Sequence, residues 1–163
     1  MYFDFWRVRW LIFLKMIRHS EQRFLPYDAD QIHTLVSDIE SYPEFIPWCT
    51  ATRINSVIQN NNEIKTVDAD LIVAFNIFKE RFRSSVTINS FTRDIDVEYI
   101  DGPFKFLTNK WTFLQDGTSC KVNFVVEFEF KSLLMQRLIG SVFNNAMKKV
   151  VKAFEDRAKQ LYD

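Results

Sequence analysis

The sequence contains two pairs of closely spaced carboxylates, and paired carboxylates often form acid–base catalytic sites. Asp68 and Asp70 form one pair, and Glu127 and Glu129 form the other, with one residue between the members of each pair. Alternate residues of a β-strand lie on the same face, so each pair shares a face. Apolar residues occupy the opposite face. We therefore expect all four carboxylates on the solvated face of a sheet and outside any active site.

Ser84, the two histidines and the two cysteines are the other residues with chemical potential. Ser84 lies on the apolar face of a predicted strand, but the sequence places no histidine or aspartate to activate it as a nucleophile. Cys49 and Cys120 lack metal-ligand spacing, and His19 and His33 cluster with neither. We expect buried free thiols, surface histidines, no metal site and no catalytic cofactor. The protein is predicted not to be an enzyme.

The composition indicates one domain with an unusual aromatic content. The chain has 163 residues, and its 26% of charged residues balance to zero net charge. This length suits one domain with a sizeable core, and the charge balance gives no sign of a surface that binds DNA. There are 17 Phe, 4 Trp and 5 Tyr but only 3 Gly. Either the core is rich in aromatic rings, or these rings line a hollow space.

The first fifteen residues, MYFDFWRVRWLIFLK, match neither a membrane-spanning helix nor a secretory signal. Asp4, Arg7, Arg9 and Lys15 interrupt the apolar sequence, whereas a span needs roughly 20 predominantly apolar residues. A secretory signal has a cationic start and a small-residue cleavage site, and this segment has neither. Two interpretations remain: an interfacial segment that lies on a membrane, or an upstream addition to a domain that begins at Met16.

A helix is predicted over residues 28–39. Asp28 followed by Gln31 is a capping-box pattern, and the apolar residues that follow share one helical face. The stretch after it, SYPEFIPWC, covers residues 41–49 and predicts one short helical turn with an apolar tip. Its Ser41 and Glu44 repeat the capping pattern, its first proline suits a first helical turn, and its second proline ends the element.

Residues 51–130 alternate between apolar and polar side chains, which is the period of β-strands. Turn signals at 60–62, 101–103 and 116–117 have hairpin-like spacing without intervening helices, so they predict an antiparallel meander. The predicted apolar faces carry Ala69, Leu71, Val73, Phe75 and Ile77, then Phe82, Ser84, Val86 and Ile88, then Ile95, Val97 and Tyr99, then Trp111 and Phe113, and last Val122, Phe124, Val126, Phe128 and Phe130.

A last helix of about thirty residues is predicted after the strands, with Ser132 as its N-cap. Its apolar residues recur at three- and four-residue steps, so one stripe must be buried against the sheet. The stripe contains Ile139, Phe143, Ala146, Met147, Val150, Phe154, Ala158 and Leu161, with Leu134, Leu138 and Val142 as further apolar positions near the start. The other face carries Lys148, Lys149, Lys152, Glu155 and Lys159.

Several stretches closely resemble the coenzyme Q-binding START-like family, part of the polyketide cyclase and lipid transport superfamily. These stretches are RFLPYDADQIHTLVSDIESYPEFIPWC, FKERFRSSVT, DGPFKFLTNKW, FEFKS and LIGSVFNNAMKKVVKAFEDRAKQLY. The family joins mitochondrial ubiquinone-binding proteins with bacterial RatA-type ribosome-association toxins. The resemblance covers about residues 18–162, and family members typically start a few residues before RFLPY. It therefore implies a START-like domain over residues 16–163 and an N-terminal extension over residues 1–15 that is not part of the native fold.

The resemblance implies an α+β helix-grip fold. In this fold a curved antiparallel sheet of about seven strands wraps around a long C-terminal helix, two short helices follow the first strand, and a cavity lies between the sheet and the long helix. We expect the cavity to be lined by Leu71, Val73, Phe75, Phe82, Val86, Tyr99, Trp111, Phe113, Phe124, Phe128, Leu138, Val142, Phe143 and Met147. We expect its mouth to be formed by Pro43, Phe45, Ile46, Pro47, Trp48, Phe104 and Phe106.

The same resemblance implies that the cavity binds ubiquinone, an isoprenoid quinone, as a carrier or chaperone for respiration or ubiquinone synthesis. An isoprenoid quinone needs a dry, mainly apolar cavity, which the aromatic content suits. A cytoplasmic location is expected, with peripheral contact at the inner face of the membrane through the mouth residues. The alternative is a toxin that binds the large ribosomal subunit and blocks subunit joining. Cyclase activity is a fold-level analogy only.

Overall fold

The computed structural model describes residues 16–163, and the predicted extension over residues 1–15 lies outside that range. Among the described residues, no helix is both long enough and apolar enough to cross a membrane. The elements are β1 (Ile17–Leu25), α1 (Ala29–Ser37), a 3₁₀ turn (Ile39–Ser41), α2 (Tyr42–Phe45), β2 (Cys49–Gln59), β3 (Ile64–Phe75), β4 (Phe78–Asn89), β5 (Asp94–Asp101), β6 (Phe104–Asp116), β7 (Ser119–Phe130) and α3 (Leu133–Tyr162).

The seven strands form one antiparallel sheet in the order β1-β7-β6-β5-β4-β3-β2. Neighbouring strands from β2 to β7 are joined as hairpins, and β1 pairs with β7 at the far edge. Helix α3 lies across the curved sheet, and α1 packs against α3, β6 and β7. This is the predicted α+β helix-grip architecture, in which the long helix and the two short helices cover one face of the sheet.

Two of the three predicted helix caps are confirmed. The backbone N–H of Asp28 donates to Gln31 Oε1 at 3.0 Å, and the backbone N–H of Met135 donates to Ser132 Oγ at 3.3 Å. The third prediction was wrong. The Ser41 hydroxyl makes no cap bond and donates instead to Asp38 Oδ2 at 2.5 Å. This follows from the 3₁₀ turn, which leads directly into α2 and gives Ser41 a helical backbone conformation.

Two predictions of buried apolar positions were also wrong. Ile77 does not continue β3, because the chain reverses at Asn76 and Ile77, and Ile77 is 90% exposed at the hairpin tip. Asn76 takes the left-handed φ of 54° that this tight turn requires. On α3 the apolar side chains of Leu134, Leu138 and Leu161 are exposed. The helix buries a narrower stripe than its apolar composition suggests.

Two groups of buried apolar residues stabilise the fold. The first joins α1 to the middle of the sheet and to the C-terminal half of α3, around Phe113 and Phe154. The second joins β6 and β7 to the N-terminal half of α3, around Phe104, Phe128 and Phe143. The space between the sheet and α3 beside these groups is only partly filled, and it holds the candidate site.

Candidate functional site: an apolar cavity in two chambers

A cavity of about 220 Å³, which we call the central chamber, lies over the middle of the sheet. Its floor is formed by inward side chains of β3 to β7, and its roof by α1, α2 and the C-terminal half of α3. The sheet contributes these side chains because strand alternation places every second residue on the concave face. The walls are Val36, Ile39, Tyr42, Ile46, Leu71, Phe82, Ser84, Val86, Ile95, Val97, Leu107, Asn109, Trp111, Phe124, Val126, Val150 and Phe154.

A second cavity of about 160 Å³, the end chamber, lies beside the β3–β4 hairpin. The N-terminal half of α3 forms one side, and the hairpin and the β5–β6 turn form the other. Phe82 lines both chambers, so its side chain lies between them. The walls of the end chamber are Trp48, Val73, Phe75, Phe78, Glu80, Phe82, Pro103, Phe104, Phe130, Met135, Ile139, Val142, Phe143, Ala146 and Met147.

Trp48 lines the end chamber and lies close to α3. The Trp48 ring packs edge-on against Phe75 with 5.0 Å between ring centroids, and Lys149 Nζ lies 5.9 Å from the Trp48 centroid. Lys149 projects from α3 towards Trp48, so this part of α3 borders the indole. Trp48 has a left-handed φ of 66°, which is costly for a bulky residue. Trp48 therefore adopts an unfavourable backbone conformation in the arrangement that packs its indole against Phe75.

Most of the predicted cavity residues lie on these walls. The central chamber receives Leu71, Phe82, Val86, Trp111 and Phe124, together with Ile46 from the predicted mouth. The end chamber receives Val73, Phe75, Phe82, Val142, Phe143 and Met147, together with Trp48 and Phe104 from the predicted mouth.

Four predicted cavity residues lie elsewhere. Phe113 is 1% exposed in solid core, because α1 covers it and His33 packs edge-on against its ring. The rings of Phe128 and Tyr99 pack against Phe104 at 5.5 and 5.7 Å and line neither chamber. Leu138 is 44% exposed, because its position on α3 points past the cavity towards the surface.

Four predicted mouth residues also lie elsewhere. The ring of Phe45 packs against Phe154 at 5.2 Å, so this part of the proline-flanked turn packs back onto α3. Pro43 and Pro47 flank that turn and line neither chamber. Phe106 follows a β-bulge in β6, and the bulge reverses the alternation so that Leu107 points inward and Phe106 outward.

Sequence reasoning missed the residues that complete the walls. Asn109 lies two residues before Trp111 in the regular part of β6 and therefore shares its inward face, and Phe78 begins β4 directly after the hairpin tip. Val36 and Ile39 are among the apolar residues that share one face of the helix predicted over residues 28–39, but this periodicity does not show that they roof a cavity. Their role depends on where α1 crosses the sheet.

The four carboxylates lie on the outer face of the sheet, as predicted, but they are paired and not simply solvated. Asp70 is buried and accepts from Arg81 Nη2 at 3.0 Å, and Asp68 accepts from Arg83 Nε at 2.7 Å. Hydrogen bonds from the Arg83 guanidinium lower the pKa of Asp68. Arg18 and Lys105 pair in the same way with Glu127 and Glu129, each at 2.8 Å. Each carboxylate therefore joins neighbouring strands across the outer face.

Both histidines differ from the surface prediction. His33 is buried against Phe113, and this burial lowers its pKa. His19 is partly buried, with Nε2 3.0 Å from Glu21 Oε2 and Nδ1 3.3 Å from Asn144 Oδ1, so it links β1 to α3. Neither histidine lines a chamber.

The thiols are buried and free, as predicted. Burial raises the pKa of Cys49, and burial raises the pKa of Cys120 to about 11. Tyr42 lines the central chamber, and burial raises its pKa as well. The Tyr42 hydroxyl donates to the carbonyl of Val36 and so links α2 to α1. All three groups therefore remain protonated at neutral pH, and Tyr42 adds no charge to the wall of the central chamber.

Comparisons with known proteins agree with this architecture. The sequence profile described as "Polyketide cyclase / dehydrase and lipid transport" matches residues 25–155. The chain is 37% identical over 150 residues to the ribosome association toxin RatA of Rickettsia prowazekii, covering 90% of this chain and 99% of that protein. It is 31% identical over 154 residues to the mitochondrial coenzyme Q-binding protein COQ10 homolog B of Xenopus laevis, covering 91% of this chain and 60% of that protein.

A solved structure has the same fold at similar sequence identity. The solution structure of an 18 kDa protein from Caulobacter crescentus superposes with a TM-score of 0.76 at 38% identity, covering 90% of this chain and 98% of that protein. Fold, profile and relatives therefore agree, and the resemblance to START-like proteins is confirmed. The chain belongs to the polyketide cyclase/dehydrase and lipid transport family.

Proposed function

We propose that the chain binds ubiquinone in the two chambers and carries it, without catalysing a reaction, in support of respiration or ubiquinone synthesis. The observation that carries this proposal is the apolar cavity between the sheet and α3, whose walls are aromatic and aliphatic apart from four polar or ionisable side chains. An isoprenoid quinone has a flat, weakly polar ring and a hydrocarbon tail, which suit such walls. The resemblance to a coenzyme Q-binding protein supports the same ligand class.

The chamber sizes indicate how such a ligand is held. A dry cavity of about 150 Å³ accepts a benzene ring, and the two chambers measure about 220 and 160 Å³. The larger central chamber suits the substituted quinone ring, and the end chamber suits the first prenyl unit. We place the opening for a longer tail beside Trp48, where this residue lines the end chamber next to α3. The protein therefore shields the head of the ligand, and the remaining tail stays outside the cavity.

The opening is surrounded by exposed apolar and basic side chains, which we propose contact an anionic membrane surface. Ile77 lies at the hairpin tip between two residues that line the end chamber, and exposed Leu134 and Leu138 lie on α3 beside Met135 and Ile139, which line it too. Lys79 and Lys149 are exposed beside this apolar surface. Apolar insertion together with cationic attraction is the usual basis of peripheral binding. We place this contact at the inner face of the cytoplasmic membrane.

Ribosome association is the second candidate function. It is favoured by the name of the Rickettsia prowazekii relative, whose length this chain covers at 99%. The exposed lysines of α3 offer a basic surface for ribosomal RNA, and we place that contact on the large ribosomal subunit, where it blocks subunit joining. The surface consists of Lys148, Lys149, Lys152 and Lys159, although Lys152 is already paired with Asp156 at 2.8 Å.

One experiment separates the two candidates. The protein is purified from its natural host, extracted with organic solvent and analysed by mass spectrometry, while a parallel sample is sedimented with ribosomal subunits. Co-purified ubiquinone supports the carrier function. An extract without quinone, together with co-sedimentation that is lost in a Lys148→Glu, Lys149→Glu double variant, supports ribosome association and contradicts the carrier function.

A further inference from the structure

One polar side chain in the central chamber has no partner of its own. Ser84 lies on β4, is 1% exposed and lines the chamber among apolar neighbours. Within residues 16–163, its hydroxyl oxygen is buried and makes no hydrogen bond. Buried polar groups in proteins are nearly always paired, so such a hydroxyl needs an explanation. A bound ligand and an ordered water molecule are the two candidates.

The other polar groups of the chamber are already occupied. Asn109 Nδ2 donates to the carbonyl of Val125 at 2.9 Å, and Asn109 Oδ1 accepts from Trp111 Nε1 at 2.9 Å. Tyr42 donates its hydroxyl to a backbone carbonyl, as described above. Asn109, Trp111 and Tyr42 therefore stabilise the protein itself. Ser84 is the hydroxyl that remains available to a ligand in the central chamber.

The surroundings of Ser84 also define which chemical group it can serve. Among the described residues, no Lys, Arg, His, Asp or Glu lines the central chamber. Without a base, the hydroxyl is not activated as a nucleophile. Without a cation, the chamber does not stabilise a carboxylate, because an unpaired buried charge is strongly unfavourable. A neutral acceptor such as a ketone oxygen suits this site.

We propose that Ser84 Oγ–H donates a hydrogen bond to a carbonyl oxygen of the bound quinone and so fixes the ring in the central chamber. This inference rests on the proposed quinone-binding function and extends it to the head group. The ring then lies against the aromatic side chains of Trp111 and Phe124, whose ring centroids are 4.4 Å apart. The same arrangement selects quinones over fatty acids of similar apolar bulk.

The competing explanation for the unpaired Ser84 hydroxyl is an ordered water molecule shared with Tyr99. Tyr99 is the cross-strand partner of Ser84, and its hydroxyl is also buried without a partner among residues 16–163. A water molecule held between the two hydroxyls would give both a structural role. In that case Ser84→Ala and Tyr99→Phe each lower the unfolding midpoint of the empty protein. If the Ser84 hydroxyl serves instead as a donor to the ligand, Ser84→Ala leaves the unfolding midpoint of the empty protein unchanged or raises it.

The test compares two ligands on full-length protein. One is a ubiquinone with a single prenyl unit, and the other is prenylbenzene, which lacks carbonyl groups. We expect Ser84→Ala to weaken quinone binding about three- to tenfold, the range of one neutral hydrogen bond, and to leave prenylbenzene binding unchanged. Ser85→Ala is the matched control, because Ser85 is the next residue of β4 and points to the outer face.

The outcomes separate the two levels of the proposal. If the wild-type protein binds prenylbenzene but no quinone, or neither ligand, the quinone-binding function itself fails. If the wild type binds quinone and Ser84→Ala binds it equally well, only the role of Ser84 is overturned. Equal loss of both ligands, or a lowered unfolding midpoint, also overturns it in favour of a structural hydroxyl. Infrared spectra of the bound quinone add a direct readout, since one carbonyl band should shift on binding to the wild type and not to Ser84→Ala.

Discussion

Filling the end chamber with a side chain tests whether the first prenyl unit binds there. Ala146 lines this chamber from α3. A benzene ring fits a cavity of about 150 Å³, and the chamber measures about 160 Å³. The added ring of Ala146→Phe therefore occupies most of the space. The helix itself is not disturbed, because phenylalanine is an acceptable residue in a helix interior.

The cavity size and the ligand chemistry set the expected magnitude. One prenyl unit has about five carbons, and at about 0.8 kcal/mol for each buried carbon its exclusion costs about 4 kcal/mol of binding free energy. That upper limit corresponds to a roughly 800-fold increase in Kd. The displaced unit keeps some contact with the apolar surface around the opening. We therefore expect the Kd to rise at least about tenfold, which is about 1.4 kcal/mol.

The assay follows quenching of protein fluorescence by bound quinone, because Trp111 lines the central chamber. Ala146→Phe should bind the quinone with one prenyl unit more weakly and the same quinone without a prenyl chain as tightly as the wild type. Ser141→Phe is the control, since Ser141 is exposed on α3. If Ala146→Phe is folded and both quinones bind with wild-type affinity, the end chamber is not the tail site and the reasoning is refuted.

The hairpin tip, the β5–β6 turn and the buried histidine give three further predictions. Ile77→Ser should reduce co-sedimentation with anionic vesicles without changing quinone affinity in detergent, and unchanged co-sedimentation contradicts the membrane contact. Gly102→Ala should lower the free energy of unfolding in urea by about 2–3 kcal/mol, because its Cβ would lie 2.8 Å from Arg81 O at a φ of +139°. Gly117→Ala, with no atom within 4 Å, should cost less, and an equal cost contradicts the clash. Because burial lowers the pKa of His33, the unfolded state takes up that proton first, and the free energy of unfolding should fall as pH decreases below about 6.5. Urea unfolding at several pH values measures this effect. In His33→Gln the free energy of unfolding should fall less steeply over the same pH range.

The architecture and much of the cavity were predictable from sequence because periodicity reports which face of an element is apolar. The caps at Asp28 and Ser132 and the turns between the strands follow from local chemistry that three or four residues specify. Periodicity does not show whether an inward side chain faces another packed element or an empty space. Phe113, Phe124 and Phe128 have the same inward pattern, yet only Phe124 borders a chamber, because the elements above the other two fill the space.

The remaining errors arise where the backbone departs from its regular repeat. The bulge in β6 inserts one residue and turns Phe106 to the outer face, and a single sequence carries no clear signal for it. The reversal at Asn76 and Ile77 lacks glycine, so it reads as continuous strand. Leu138 has the spacing of a buried residue, but the buried stripe of α3 is narrower than its apolar stripe.

The left-handed backbone at Trp48 implies that two selective demands conflict at a single position. A glycine there would relieve the unfavourable dihedral, but it would remove the indole that packs against Phe75 beside the end chamber. Replacing Trp48 would therefore exchange backbone strain for the loss of an aromatic wall of the end chamber and of its contacts with Phe75 and Lys149.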